Sequence, residues 1–160
     1  MKKDPTRKLT PRAIRAWQWS AAFGNLFYFA IPGAYLAYFG LEDSFHLWIA
    51  GIGVVVIFLL WLSGIVFFPY IRWKRWRYSV DQHEIDLKRG ILVVQRTLIP
   101  LSRVQHVDTR QGPILRWYKL ASVTISTAAT THEIPALDEV IADRVRDTIS
   151  KYARLAEEDV

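Results

Sequence analysis

Polar and apolar positions along this chain fall into two regimes that meet near Arg77. From Ser20 to Leu41 no side chain is charged, and from Phe45 to Ile71 none is charged with His46 counted as neutral. A bilayer core takes about 20 helical residues, so these runs predict two membrane-spanning helices, at about 18–39 and about 47–71. Gly40-Leu41-Glu42-Asp43-Ser44 between them is turn chemistry, short enough to force an antiparallel hairpin. A soluble helical hairpin would carry polar faces, and neither run has one. A cleaved signal peptide would have a shorter apolar run and no second span directly after it.

Beyond Arg77 the period changes to that of strands. Trp76–Val80 is a short aromatic and β-branched run, and His83–Arg89 alternates, with Ile85 and Leu87 on one face and Glu84, Asp86 and Lys88 on the other. Gly90 punctuates, and Ile91–Ile99 reads as a longer strand stopped by Pro100. Arg103–Thr109 places Val104 and Val107 on opposite parities, which predicts a bulge or bend. After the turn Gln111-Gly112-Pro113, the run Ile114–Tyr118 is apolar or aromatic. Ala121, Val123 and Ile125 then alternate with Ser122, Thr124 and Ser126 as a half-buried strand, and His132–Pro135 reads as a last short one. About seven strands with short turns predict a sandwich or barrel-like roll. A helix ends the chain. Asp138 suits its N-cap, Glu139 its first turn, and Lys151 and Arg154 its last. Ile141, Val145, Ile149 and Tyr152 form one apolar stripe able to plug an open sheet end.

Charge fixes how these parts sit in a cell. The chain is 51% hydrophobic, with Lys and Arg at 21 against 15 Asp and Glu, a net charge of +6. Residues 1–19 carry six basic side chains against Asp4, and residues 72–77 carry Arg72, Lys74, Arg75 and Arg77. Residues 78–160 hold 11 basic and 12 acidic side chains, a balance of −1. The basic excess therefore flanks the apolar block and forms no stripe on a folded domain, which argues for anionic cytoplasmic lipid and against nucleic acid. Both basic flanks lie away from the 40–44 loop, so the positive-inside rule puts both termini in the cytoplasm of a multi-pass membrane protein. Trp17, Trp19, Trp73 and Trp76 then mark the inner interface, and Tyr38, Phe39, Phe45 and Trp48 the outer one. Continued helix would align Tyr70, Trp73 and Trp76, with Arg72 and Arg75 reaching headgroup phosphates. The organisation is thus a basic N-terminus (1–17), a helical hairpin (18–71) and a cytoplasmic domain (72–160).

Catalytic chemistry has little to work with. No cysteine is present, which excludes thiol chemistry and a disulfide framework. Neither span holds Asp, Glu, Lys or Arg, so a proton or ion pathway lacks its groups. Asn25, the one strongly polar side chain well inside the first span, suits an interhelical hydrogen bond, and Pro32 predicts a bend there. Ala30, Gly33, Ala34 and Ala37, with Gly51, Gly53 and Gly64, suit close helix packing, within the hairpin or against another subunit. His83, His106 and His132 each have a nearby carboxylate, but only His106 and Asp108 share a strand face, so neither a metal nor another cofactor is expected. Ser102 and Ser126 have no evident base, and no glycine-rich phosphate loop occurs. Binding is the chemistry left. Arg103, Gln105, His106, Arg110 and Arg116 can receive carboxylate, phosphate or carbonyl groups, or else hold the roll together through loop carbonyls.

Strands capped by one C-terminal amphipathic helix follow the pleckstrin-homology-like order. The runs Gly90-Ile-Leu-Val, Thr97-Leu-Ile-Pro100-Leu-Ser-Arg-Val-Gln-His-Val107 and Gly112-Pro-Ile-Leu-Arg116-Trp-Tyr-Lys-Leu-Ala121 resemble the bacterial PH-like domain of YdbS-type membrane proteins, over about residues 15–155. The resemblance implies two membrane helices, a split β-barrel with a capping helix, and a frequent partner in a larger related protein with repeated PH-like domains. It implies no established activity. One position departs from the pattern, because Lys119 stands where a glycine commonly precedes Leu120. The first expectation is a non-enzymatic, membrane-anchored module that assembles with its own copies or a paralogue. The second is a domain for anionic lipid or phosphate, and the weakest is an enzyme or transporter component.

Overall fold

The structure, a computed structural model, describes residues 4–158. Lys2 and Lys3 of the basic N-terminus, and the last two positions of the 72–160 segment, lie outside the described residues. Two compact units form: Trp17–Tyr70, and the residues up to Ala16 together with those from Ile71 onward.

The apolar segment expected as one span at 18–39 is divided. α1 (Arg12–Gly24) ends, a 3-10 turn (Leu26–Phe29) follows, and α2 (Ala30–Phe39) resumes. Asn25, at φ −103° and ψ 1°, leaves the helical region. The bend therefore precedes Pro32. That proline falls in the first turn of α2, where a missing N–H costs least. Gly40 ends α2 at φ 85°.

α3 (Ser44–Arg75) is longer at both ends than the expected 47–71. The Asp43 carboxylate accepts the Phe45 N–H at 2.9 Å at its start, and Arg72, Lys74 and Arg75 suit the dipole at its end. Among the described residues it is the one helix long and apolar enough to cross a membrane, and it leaves most of its surface uncovered. Within the helical unit the segments run antiparallel. Trp61 donates its indole N–H to the Ala22 carbonyl at 3.2 Å, a side chain on Gly53 would touch Pro32, and the Tyr35 hydroxyl meets His46 Nδ1 at 2.8 Å. Gly33, Gly51 and Gly64 face open space, so Gly53 alone of these glycines serves packing within the hairpin.

The other unit holds two antiparallel three-stranded sheets, β1 (Arg77–Val80), β2 (Glu84–Arg89), β3 (Gln95–Pro100) and β4 (Val104–Arg110), β5 (Leu120–Thr127), β6 (Thr131–Asp138). Six strands occur among the described residues where seven are expected. Ile114–Tyr118 is not a strand: Pro113 opens a short helix, α4 (Pro113–Trp117), in which proline's fixed φ suits the first turn. β3 begins only at Gln95, after a loop over 91–94. The bulge expected near Val104 falls between Val104 and His106, where Gln105 is the extra residue. β6 carries a second bulge, where Ala136, at φ 50°, donates its backbone N–H to the Ser122 hydroxyl oxygen at 3.3 Å. β5 is not half-buried as its alternation suggests, since Ser122 and Thr124 are each only 4% exposed.

The core is built from Ile85, Leu87, Ile99, Leu101, Leu120, Val123, Ile125, Ile134 and Leu137. α5 (Glu139–Glu158) packs on β4, β5 and the 3-10 turn Leu101–Arg103. Its buried stripe is Ala142, Val145 and Ile149, whereas Ile141 stands outside it, 41% exposed. Asp86 is buried and takes a bidentate contact from Arg96, with Oδ2 at 2.6 Å from the guanidinium. The N-terminal stretch docks on this unit. Arg7 and Tyr78 exchange backbone hydrogen bonds at 3.1 Å beside β1, Asp4 pairs with Lys88 at 2.6 Å, and Trp73 donates to the Leu9 carbonyl at 2.9 Å.

Candidate functional site

The β4 bulge sets the positions of the candidate polar residues. It lets Val104 turn inward while Gln105 and His106 are both exposed. Arg103, at the end of the 3-10 turn, and Gln105 line a groove of about 650 Å³ with Leu98–Pro100 of β3 and Thr127–Thr130 of the β5–β6 turn. His132 closes its far side, its Nε2 at 2.8 Å from the Thr130 hydroxyl. Burial, aided by the nearby Arg89 guanidinium, holds the His132 imidazole below its ordinary pKa, so it is mainly neutral at neutral pH. His106 and Arg110 lie on the outer course of β4 and Arg116 on α4, all exposed and outside this groove. Of the five candidates, Arg103 and Gln105 are thus brought together and the other three are not.

A second groove, of about 640 Å³, is lined by Pro11, Arg12, Arg15, Trp117, Tyr118 and Lys119. It unites the start of α1 with the end of α4, two segments a hundred residues apart, so no local pattern signals it. Trp117 is 86% exposed there, Arg12 is held by Asp138 at 3.4 Å, and Lys119 has a left-handed backbone, φ 54°. Among the described residues no three His, Asp or Glu side chains gather as a metal site.

The expected interfacial aromatics divide. Trp19, Trp48 and Tyr70 are exposed, Trp19 stacking on Phe23 with ring centroids 5.5 Å apart, while Trp17 and Trp73 are half-buried. Trp76 departs from the expectation: at 3% exposed it belongs to the core, because the helix ends at Arg75 and the chain turns directly into β1. Arg75 donates to the Ile91 carbonyl, and Arg72 lies within the electrostatic reach of Glu133 and Arg89.

Comparison with known proteins agrees with this architecture. The chain is 43% identical, over its whole length and that of its relative, to UPF0699 transmembrane protein YdbS of Bacillus subtilis (strain 168). It is 27% identical over 104 residues to UPF0699 transmembrane protein YdbT of the same organism, a match covering 62% of this chain and 20% of that one. No solved structure matches the chain. Residues 26–153, from the helical hairpin through α5, match the family model for the bacterial PH domain, and this membrane protein belongs to that family.

Proposed function

We propose that the chain is a non-enzymatic assembly module at the bacterial inner membrane, joining through its PH-like domain either a second copy of itself or a larger related PH-like membrane protein. The carrying observation is the edge strand β4, which pairs with β5 on one side only. An open strand edge offers unpaired backbone groups to another strand. On this edge Gln105, His106 and Arg110 are exposed, and the bulge and charges disfavour indiscriminate strand addition, leaving a surface that selects its partner. The match to one fifth of YdbT supports a relative in which such a domain is part of a longer chain. A multi-pass topology with both termini cytoplasmic fits the same reading. Arg7 and Tyr78 are hydrogen-bonded to each other, so they share one side of the bilayer, and a crossing by α3 then requires a return crossing within residues 17–43.

The test is the native mass of the full chain extracted in mild detergent. A mass of two or more 18.6 kDa chains, or co-purification of a larger PH-like protein, is expected, and the double variant His106→Glu/Arg110→Glu lowers it. A monomer with no co-purifying relative sinks the proposal.

The second reading, a site for anionic headgroups, is favoured by the Arg15–Lys119 groove, whose Trp117 and Tyr118 suit the interface. Phosphatidylglycerol retained by the full chain and lost in Arg15→Ala/Lys119→Ala supports it. Equal retention by the variant removes it.

A further inference from the structure

The loop between β2 and β3 carries Ile91-Leu92-Val93-Val94, read from sequence as the start of a strand. Instead Leu92 is 95% exposed, Val93 81% and Val94 54%. A soluble β domain does not leave three consecutive large apolar side chains in water without a reason. The loop is also firmly shaped. Gly90 sits at φ 117°, and a side chain there would meet the Val93 carbonyl at 1.9 Å, so the turn closes on itself. Its base is held by the Arg89–Gln95 strand pair, whose side chains meet at 3.2 Å.

Position identifies what covers this tip. The Ile91 carbonyl is hydrogen-bonded by Arg75, the last residue of the apolar helix α3. At 1.5 Å per residue, Arg75 lies about 6 Å along the helix from Ile71, where the uncharged run ends. The loop is thus tied to the helix where its side chains change from apolar to basic. Arg75 and Arg89 stand at its base, with Arg72 in electrostatic range of Arg89. Apolar side chains at a tip with guanidinium groups at its base match the layering of a bilayer interface, acyl chain beneath phosphate.

We propose that Leu92, Val93 and Val94 dip into the inner-leaflet interface beside the end of α3, as a second membrane contact in addition to the spanning helices, with Arg75 and Arg89 at the phosphates. This inference does not depend on the assembly reading, which uses the β4 edge. It implies that the domain is held by two points and does not swing on one.

The chain has no cysteine, so a single environment-sensitive fluorophore can be placed at Val93→Cys in the full chain, reconstituted in phosphatidylcholine–phosphatidylglycerol vesicles. An Asp147→Cys label on the exposed side of α5 serves as control. The Val93 probe is expected to be quenched severalfold more by brominated acyl chains, and severalfold less by aqueous iodide, than the control. Adding Leu92→Asp should abolish the difference while the melting curve shows the fold intact. Equal iodide quenching at both sites, with no bromine quenching at Val93, overturns the proposal. Iodide protection that appears only at high protein density, without bromine quenching, also overturns it and assigns the tip to another protein chain.

Discussion

Lys119 adopts φ 54°, a conformation that strains any residue with a Cβ. Its N–H meets the Arg116 carbonyl at 3.1 Å and its carbonyl receives the Glu139 N–H at 3.2 Å, so this backbone joins α4 to the start of α5. Glycine, the residue that the family resemblance implies here, would adopt this backbone without strain. Relief of strain, about 1–2 kcal/mol, outweighs the extra unfolded-state entropy of glycine, about 0.4–1 kcal/mol. Lys119→Gly should therefore raise stability by up to about 1.6 kcal/mol, and the β-branched Lys119→Val should lower it. Denaturant titration of the full chain in detergent reads both. His132 gives a pH signature. Its pKa is held below the ordinary 6.5, so the unfolded chain takes up a proton more readily than the folded one. Stability is then complete above that ordinary value and falls as pH drops through it toward the folded value. Melting temperatures taken from about pH 8 to about pH 5 should show this decline, and His132→Gln should remove its share. A variant with an unchanged acid limb would show that the imidazole is not the responsible group.

Among the elements, alternation and punctuation carried most of the information. The 84–89 strand, the bulge after Val104 and the C-terminal helix were all legible because each follows from side-chain parity or period. Three features were not. The break at Asn25–Phe29 is a backbone event inside a uniformly apolar run, and counting apolar residues is blind to it. Ile114–Leu115 looks like strand until Pro113 is given its role as a helix opener. The α5 stripe departs from its expected start, because Ala142 and not Ile141 is buried alongside Val145 and Ile149. Ile149→Ala should accordingly cost about 2–5 kcal/mol, as a fully buried isoleucine, whereas Ile141→Ala should cost well under that. Equal losses in a denaturant titration would restore the Ile141 stripe. At the candidate site, Arg103 and Gln105 stand out in the sequence for their polar side chains, and the structure adds that both line one groove beside the bulge. The Arg12–Lys119 groove was not legible, since its two walls lie about a hundred residues apart in the chain.

For the whole molecule, side-specific labelling follows from the two-crossing reading. In the absence of native cysteine, Ser44→Cys should react with an impermeant reagent on intact cells and Ser150→Cys should not. The opposite pattern would reverse the assignment. The pairing of Arg7 with Tyr78 has a further consequence, for how the protein is made. The segment beside β1 is translated before either apolar stretch, and its partner only after both. Closing so long a loop costs little more than closing a shorter one, and an inserted hairpin brings its two ends to the same side. A nascent chain stalled before insertion instead presents an unfinished sheet, of the kind that aggregates or attracts chaperones. On the two-crossing reading, the bridge beside β1 closes only after the membrane has accepted the helices that precede the domain, which makes insertion a checkpoint for its folding.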